Sequence, residues 1–209
     1  GRDSLRNNTT GIRNCAFGTY TLFNNTSGDR NSAFGYLAMA SNTSGIQNNA
    51  FGYLALRNNI IGSRNNAFGT SALRNNTTDN NSAFGHYALA SNTTGYRNSA
   101  FGHQALRANT ISSSNSAFGY QALYTNTGRQ NSAFGSIALR LNTSGYNNTA
   151  FGYRSLASNT SGYNNSAFGR DSLRNNTTGI RNCAFGTYTL FNNTSGDRNS
   201  AFGYLAMAS

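Results

Sequence analysis

The side chains of this 209-residue chain that could ligate a metal or move a proton are few: His86 and His103, Cys15 and Cys183, and five aspartates. The two histidines occupy one place in adjacent copies of a repeat. Stacked copies would set the rings about 5 Å apart. No carboxylate recurs beside them to orient an imidazole as metal-ligating histidines require, so they read as surface rings. Cys15 and Cys183 share a repeat position ten copies apart, on the order of 48 Å along a stack, beyond the reach of an intrachain disulfide. Asp3, Asp29, Asp171 and Asp197 recur only because a segment recurs, and Asp79 falls in a turn. No nucleophile and base share a register. The sequence therefore points to a non-enzyme with no metal or cofactor site.

Two other groups of residues could bind or be modified. Asn8, Asn25, Asn42, Asn76, Asn92, Asn142, Asn159, Asn176 and Asn193 each begin an Asn-x-Ser/Thr sequon, a candidate acceptor for N-glycosylation if the amide faces solvent. All 16 basic residues are Arg and the net charge is +11. Arg6, Arg57, Arg74, Arg107, Arg140 and Arg174 share one repeat position, and Arg13, Arg30, Arg64, Arg97, Arg181 and Arg198 another. Tyr36, Tyr53, Tyr120, Tyr153 and Tyr204 share a third. Stripes of Arg and Tyr suit an acidic polysaccharide or another polyanion; equally, distributed charge keeps a rod soluble. Nothing selects a specific nucleic acid.

What must position these residues is the repeat itself. Phe17, Phe34, Phe51, Phe68, Phe84, Phe101, Phe118, Phe134, Phe151, Phe168, Phe185 and Phe202 mark twelve copies at a period of seventeen, twice shortened to sixteen. A short fixed period over a whole chain specifies a repeat architecture. Val, Trp, Pro, Lys and Glu are absent, a bias that could mean disorder, but disorder does not keep large apolar residues in register. The segment 1–41 returns unchanged as 169–209, a shift of 168 in the numbering. The expectation is one continuous array over 1–209, a window of a longer chain with that super-repeat.

Each copy is numbered here from its first Asn, so that Phe is position 4. Position 9 is then Leu or Met: Leu22, Met39, Leu56, Leu73, Leu89, Leu106, Leu123, Leu139, Leu156, Leu173, Leu190 and Met207. Phe and Leu are the expected core columns. Position 3 is always Ala, position 5 Gly, and position 8 Ala, Ser or Thr, small residues that permit close approach. Gly, Asn and Thr disfavour a helix. The pattern predicts an all-β parallel solenoid, or β-roll, of about twelve stacked coils, with two short strands per coil at positions 1 to 5 and 6 to 10. An Asn-Thr-Thr-Gly turn follows, its Gly at position 15 taking a positive φ and Asp79 replacing it in one coil. Both shortened copies lose their residue in that turn, where register survives.

Asn recurs at position 1, as in Asn14, Asn31, Asn48, Asn65, Asn81 and Asn98, and at position 12, as in Asn8, Asn25, Asn42, Asn59, Asn76 and Asn92. Amides stacked coil on coil form hydrogen-bonded ladders. A single stack still has a thin core, so packing of several chains along one axis is expected. No apolar run is long enough to span a membrane, and Gly1-Arg2-Asp3 does not read as a signal peptide, an absence of little weight in a window of a longer array, where a signal or anchor could lie outside it.

The phrase Asn-Ser-Ala-Phe-Gly, followed by Ala-Leu-x-x-Asn-Thr-x-Gly, resembles the head repeats of YadA-like trimeric autotransporter adhesins and related arrays in phage tail-fibre proteins. The resemblance spans the chain. It implies a left-handed β-roll, three chains about a common axis, and display on a cell or virion surface. The function expected is an extracellular fibre or stalk built by self-association into a homo-oligomeric filament, or an adhesin or tail-fibre shaft that binds surface glycans or other polyanions. A third reading, ice binding by Thr at position 13, is weakened by the Arg nearby.

Overall fold

A computed structural model describes residues 1–208; Ser209, the last residue of the expected array, lies outside the described residues. Twelve three-residue strands, β1 (Cys15–Phe17) through β12 (Ser200–Phe202), one per coil, form a single parallel sheet in sequence order. Among the described residues there is no helix. Identical positions pair throughout, as in Ala16 with Ala33 and Phe17 with Phe34. The register passes unshifted through both shortened coils: Phe68 pairs with Phe84 and Phe118 with Phe134. A residue removed from the turn leaves strand parity untouched, as expected.

Each coil has one strand, not two. Positions 6 to 10 form a tight ribbon in which alternate residues take positive φ, as at Gln104 (59°) and Leu106 (50°). For L residues that conformation costs roughly 1–2 kcal/mol each. It persists because successive N–H groups from position 7 onward find acceptors. Leu106 and Ala108 donate to Ala122 and Tyr124 of the following coil (both 3.0 Å), and Gln104 donates to His86 of the preceding one (2.9 Å). Ala105, Arg107 and Asn109 donate within their own coil. Alternation thus divides the hydrogen bonds between neighbouring coils and the coil itself, which a second strand would not do.

The strand ends after three residues because Gly at position 5 takes a φ that L side chains avoid, 135° at Gly102, and a Cβ there would sit 2.5 Å from the Gly119 carbonyl oxygen. Gly at position 15 does not have positive φ, contrary to expectation. What demands Gly there is space: a Cβ on Gly28 would lie 2.5 Å from both Asn25 Oδ1 and the Gly45 carbonyl. The left-handed residue of this turn is position 17, including Arg13 (58°), Arg30 (55°) and Arg64 (58°). Asp79 does not replace the glycine either. Thr78 does, its carbonyl accepting the amides of Asn65 and Asn76 (both 2.7 Å), while Asp79 Oδ1 accepts the N–H of Ser63 (2.7 Å).

The core runs between sheet and ribbon. Leu or Met of position 9 is buried from Leu22 to Leu190, and so are Ala of positions 3 and 8, such as Ala100 and Ala105. Where position 8 is Ser or Thr, the hydroxyl donates to a backbone carbonyl of the next coil, Ser155 to Ala167 (3.0 Å) and Thr21 to Gly35 (2.9 Å). The Phe column is not in this core. Strand side chains alternate; a three-residue strand that turns Ala inward must turn position 4 outward, and the narrow interior holds one large side chain per layer. Phe17, Phe151 and Phe202 are 72%, 52% and 68% exposed, and the others, Phe34, Phe51, Phe68, Phe84, Phe101, Phe118, Phe134, Phe168 and Phe185, are half-buried or partly exposed.

Candidate functional site

The expected amide ladders are present, and they lie inside. Asn at position 12 donates from Nδ2 to Oδ1 of the same residue one coil back, Asn25 to Asn8 (2.7 Å), Asn42 to Asn25 (2.8 Å), Asn59 to Asn42 (3.1 Å) and Asn92 to Asn76 (2.7 Å). Its second amide hydrogen goes to the position-15 carbonyl of its own turn, as Asn92 to Gly95 (2.8 Å). Asn at position 1 forms a second column: Oδ1 of Asn14 accepts the backbone N–H of Asn31 (2.9 Å), Asn31 that of Asn48 (3.0 Å), Asn48 that of Asn65 (2.9 Å), Asn65 that of Asn81 (2.9 Å) and Asn81 that of Asn98 (3.0 Å). Except for Asn8 and Asn14 in the first coils, which are half-buried, each of these groups is polar and buried, and each is satisfied by a neighbouring coil.

That arrangement decides where the sequons stand. Asn25, Asn42, Asn76, Asn92, Asn142, Asn159 and Asn176 are fully buried, with no exposed amide for a glycan. Asn8 and Asn193, in the outermost coils, are half-buried and hold the same bonds. The Thr that follows the sequon Asn is committed as well, Thr93 Oγ1 donating to the Thr110 carbonyl (3.0 Å) and Thr160 to Thr177 (3.0 Å). The Thr column is thus a structural ladder on the turn face.

The outer face of the sheet carries the Phe rings as one continuous stack, with centroids 4.6 Å apart from Phe84 to Phe101 and from Phe101 to Phe118. On the ribbon, Tyr36 stacks on Tyr53 (5.7 Å), and His86, His103 and Tyr120 form one run (5.2 and 5.5 Å). Among the described residues no three His, Cys or Asp side chains cluster as metal ligands. Cys15 and Cys183 are free thiols. Of the position-10 arginines, Arg6, Arg107, Arg140 and Arg174 lie against aromatic rings: Arg107 is 5.0 Å from the Tyr87 centroid and 6.0 Å from that of Tyr124. Arg174 lies 5.5 Å from Phe191, and of the position-17 column Arg97 lies 5.6 Å from Tyr96. These contacts leave a basic, aromatic ribbon surface.

Sequence reasoning missed the roles of the aspartates. Asp171 is 1% exposed and sits between the guanidinium groups of Arg170 (3.2 Å) and Arg174 (3.5 Å); Asp3 is held likewise by Arg2 and Arg6 (3.4 and 3.5 Å). The Asp-x-x-Arg spacing was the available signal. Asp29 and Asp197 accept the N–H of Ile12 and Ile180 (both 2.8 Å), which ties one coil's turn to the next. No protein-family model, curated protein or solved structure matches the chain.

Proposed function

We propose that the chain is the shaft of an extracellular fibre, whose work is length and stiffness. The observation that carries this reading is the unbroken stacking of twelve equivalent coils, each held to the next by strand pairing, ribbon hydrogen bonds and two buried amide columns. At about 4.8 Å per strand step, the stack is a rod of roughly 58 Å. A half-exposed column of aromatic rings along its length is a contiguous apolar strip of the kind that marks an association face. In our reading copies of the chain cover that strip about a common axis, three to a fibre, with left-handed coils, and the fibre stands on a cell or virion surface.

Single-molecule stretching tests the reading. A load-bearing rod holds its length until individual coils detach, each releasing about 17 residues of extensible chain, on the order of 50 Å after the lost rise is subtracted. Smooth lengthening from the lowest forces would exclude a mechanical role. A second reading, a shaft that also binds a polyanion, draws on the arginines stacked over Tyr87, Tyr124 and Tyr153. It is tested by retention on an acidic polysaccharide as salt is raised.

A further inference from the structure

The two shortened coils sit in constellations built alike, and the likeness extends beyond the missing residue. Position 14, Ser or Thr in eight coils, is Ile61 in the coil before the first deletion and Ile111 in the coil before the second. Position 16 of those same coils is Ser63 and Ser113, and is Ser in no other coil. In the coil after each deletion position 16 is Tyr, Tyr96 and Tyr146. Each member of the second set lies three coils beyond its counterpart in the first.

The geometry follows from the deletion. A turn one residue short lies back from the surface, while the turns on either side keep their full reach. A notch of about 460 Å³ opens between Ile61 and Tyr96, with Ser63, Thr78, Asp79 and Arg97 around it. A second of about 400 Å³ opens between Ile111 and Tyr146, with Ser113, Thr127, Arg129 and Ser144. Ile61 and Ile111 are 63% and 65% exposed and Tyr96 48%, so these apolar side chains are not spent on the core. Serine meets the needs of the fold at position 14 elsewhere, as Ser44 and Ser161 demonstrate. At position 14, isoleucine occurs only at the lip of a notch, which calls for another reason.

We propose that the two notches are subsites for one acidic oligosaccharide. A sugar ring offers apolar C–H faces and a rim of hydroxyls. The isoleucine and the tyrosine ring flank the faces, and the hydroxyls of Ser63, Ser113 and Ser144 meet the rim, whereas those of Thr78 and Thr127 are already donated to the Gly95 and Thr143 carbonyls. Asp79 spends Oδ1 on the Ser63 N–H and has its other oxygen free for ligand hydroxyls. Its counterpart in the second notch is Arg129, which donates and suits a carboxylate or sulfate. The notches lie three coils apart on the turn face, about 14 Å, so a single extended chain bridges both and gains from their shared occupancy. This goes beyond the shaft reading, which stands whether or not the notches bind.

The test restores what the deletions removed. Inserting Ser between Thr77 and Thr78, and between Thr127 and Gly128, returns both turns to full length without touching any arginine. Titration calorimetry uses oligogalacturonate, with a neutral gluco-oligosaccharide beside it, and circular dichroism follows the fold. The natural chain is expected to bind the uronate in the range of about 1 mM or tighter, each insertion to weaken it at least about tenfold, and the pair to abolish it, with melting unchanged. Ile61→Ser with Ile111→Ser is expected to weaken it in the same direction. Uronate affinity unaltered by both insertions would mean that binding is diffuse attraction to arginine and would overturn the proposal. So would absence of binding by the natural chain, or self-association, rather than sugar binding, that the insertions abolish.

Discussion

Asn98 lies mid-stack and buried, and its replacement tests the amide columns in two chemically distinct ways. Its Oδ1 accepts the backbone N–H of Asn115 (3.0 Å), and its Nδ2 donates to the Ser112 carbonyl (2.8 Å), which also receives Asn109 Nδ2 (3.0 Å). Asn98→Ala orphans the Asn115 N–H, at about 1–3 kcal/mol, and forfeits two further hydrogen bonds of about 1 kcal/mol each, the one to Ser112 and the one its Oδ1 accepts from Asn115 Nδ2 (3.3 Å), so the loss is about 3–5 kcal/mol. Asn98→Asp keeps the acceptor and removes the donor. Protonated, the new carboxyl donates to Ser112 as the amide did; ionised, it confronts that carbonyl with a buried negative charge. Its pKa in the folded chain is therefore raised above the unfolded value near 3.9. For an acid shifted upward, the unfolded state ionises first. Stability is then retained below about pH 4 and falls as pH rises, by about 1.4 kcal/mol per unit until the folded pKa is passed. Between about pH 4 and 6 the variant should lose up to about 2.4 kcal/mol relative to the parent. Guanidinium unfolding followed by circular dichroism from pH 3 to 7, with amide exchange at Asn115, measures both effects. Asn7→Ala, on an exposed rung, should cost under about 0.5 kcal/mol. An Asn98→Ala loss no larger than that control, or an Asn98→Asp penalty that does not grow with pH, would remove the buried amides as a source of stability.

Other substitutions test the division between core and face. Leu106→Ala, at 0% exposure, should lose about 2–5 kcal/mol, against about 1–3 kcal/mol for Phe101→Ala, which gives up two stacking contacts; denaturant melts reporting the reverse order would return Phe to the core. Gly102→Ala meets both a forbidden φ and a carbonyl at 2.5 Å, whereas Gly95→Ala meets close oxygens without the forbidden φ, at a position that Ser112 fills one coil later; Gly102→Ala should therefore cost more. Gln47→Gly, at φ 58°, should stabilise by about 0.5–1 kcal/mol, since the left-handed strain removed exceeds the added chain entropy. Sedimentation equilibrium should give three chains for the natural protein and a folded monomer for Phe84→Ser, Phe101→Ser and Phe118→Ser combined; a monomeric parent would remove the Phe column as an association face.

Stacking, register and the amide columns were legible because each depends only on what recurs. Asn at two fixed positions, with a period set by Phe, already demands like on like, and the shortened copies locate the turn. Which large residue faces inward was not legible. Phe and Leu recur equally, and the choice turns on the inward Ala at position 3 together with the room left by the ribbon. The ribbon itself defeats propensity reasoning, because a leucine such as Leu106 with positive φ is tolerated only when neighbouring coils accept and donate on both sides. Glycine at position 15 misled for a related reason: a turn sequence suggested a torsion, whereas the demand came from Asn25 Oδ1 and the carbonyl of Gly45. The notches needed both levels, since Ile61 and Ile111 mean nothing in sequence until the retracted turn beside each is seen.

Diffraction from oriented purified protein decides whether one coil per strand step runs along a straight rod. A sharp meridional reflection at about 4.8 Å, parallel to the long axis of the particle, is expected. A compact scatterer, or a reflection at that spacing running across the long axis, would contradict the stacked-coil rod.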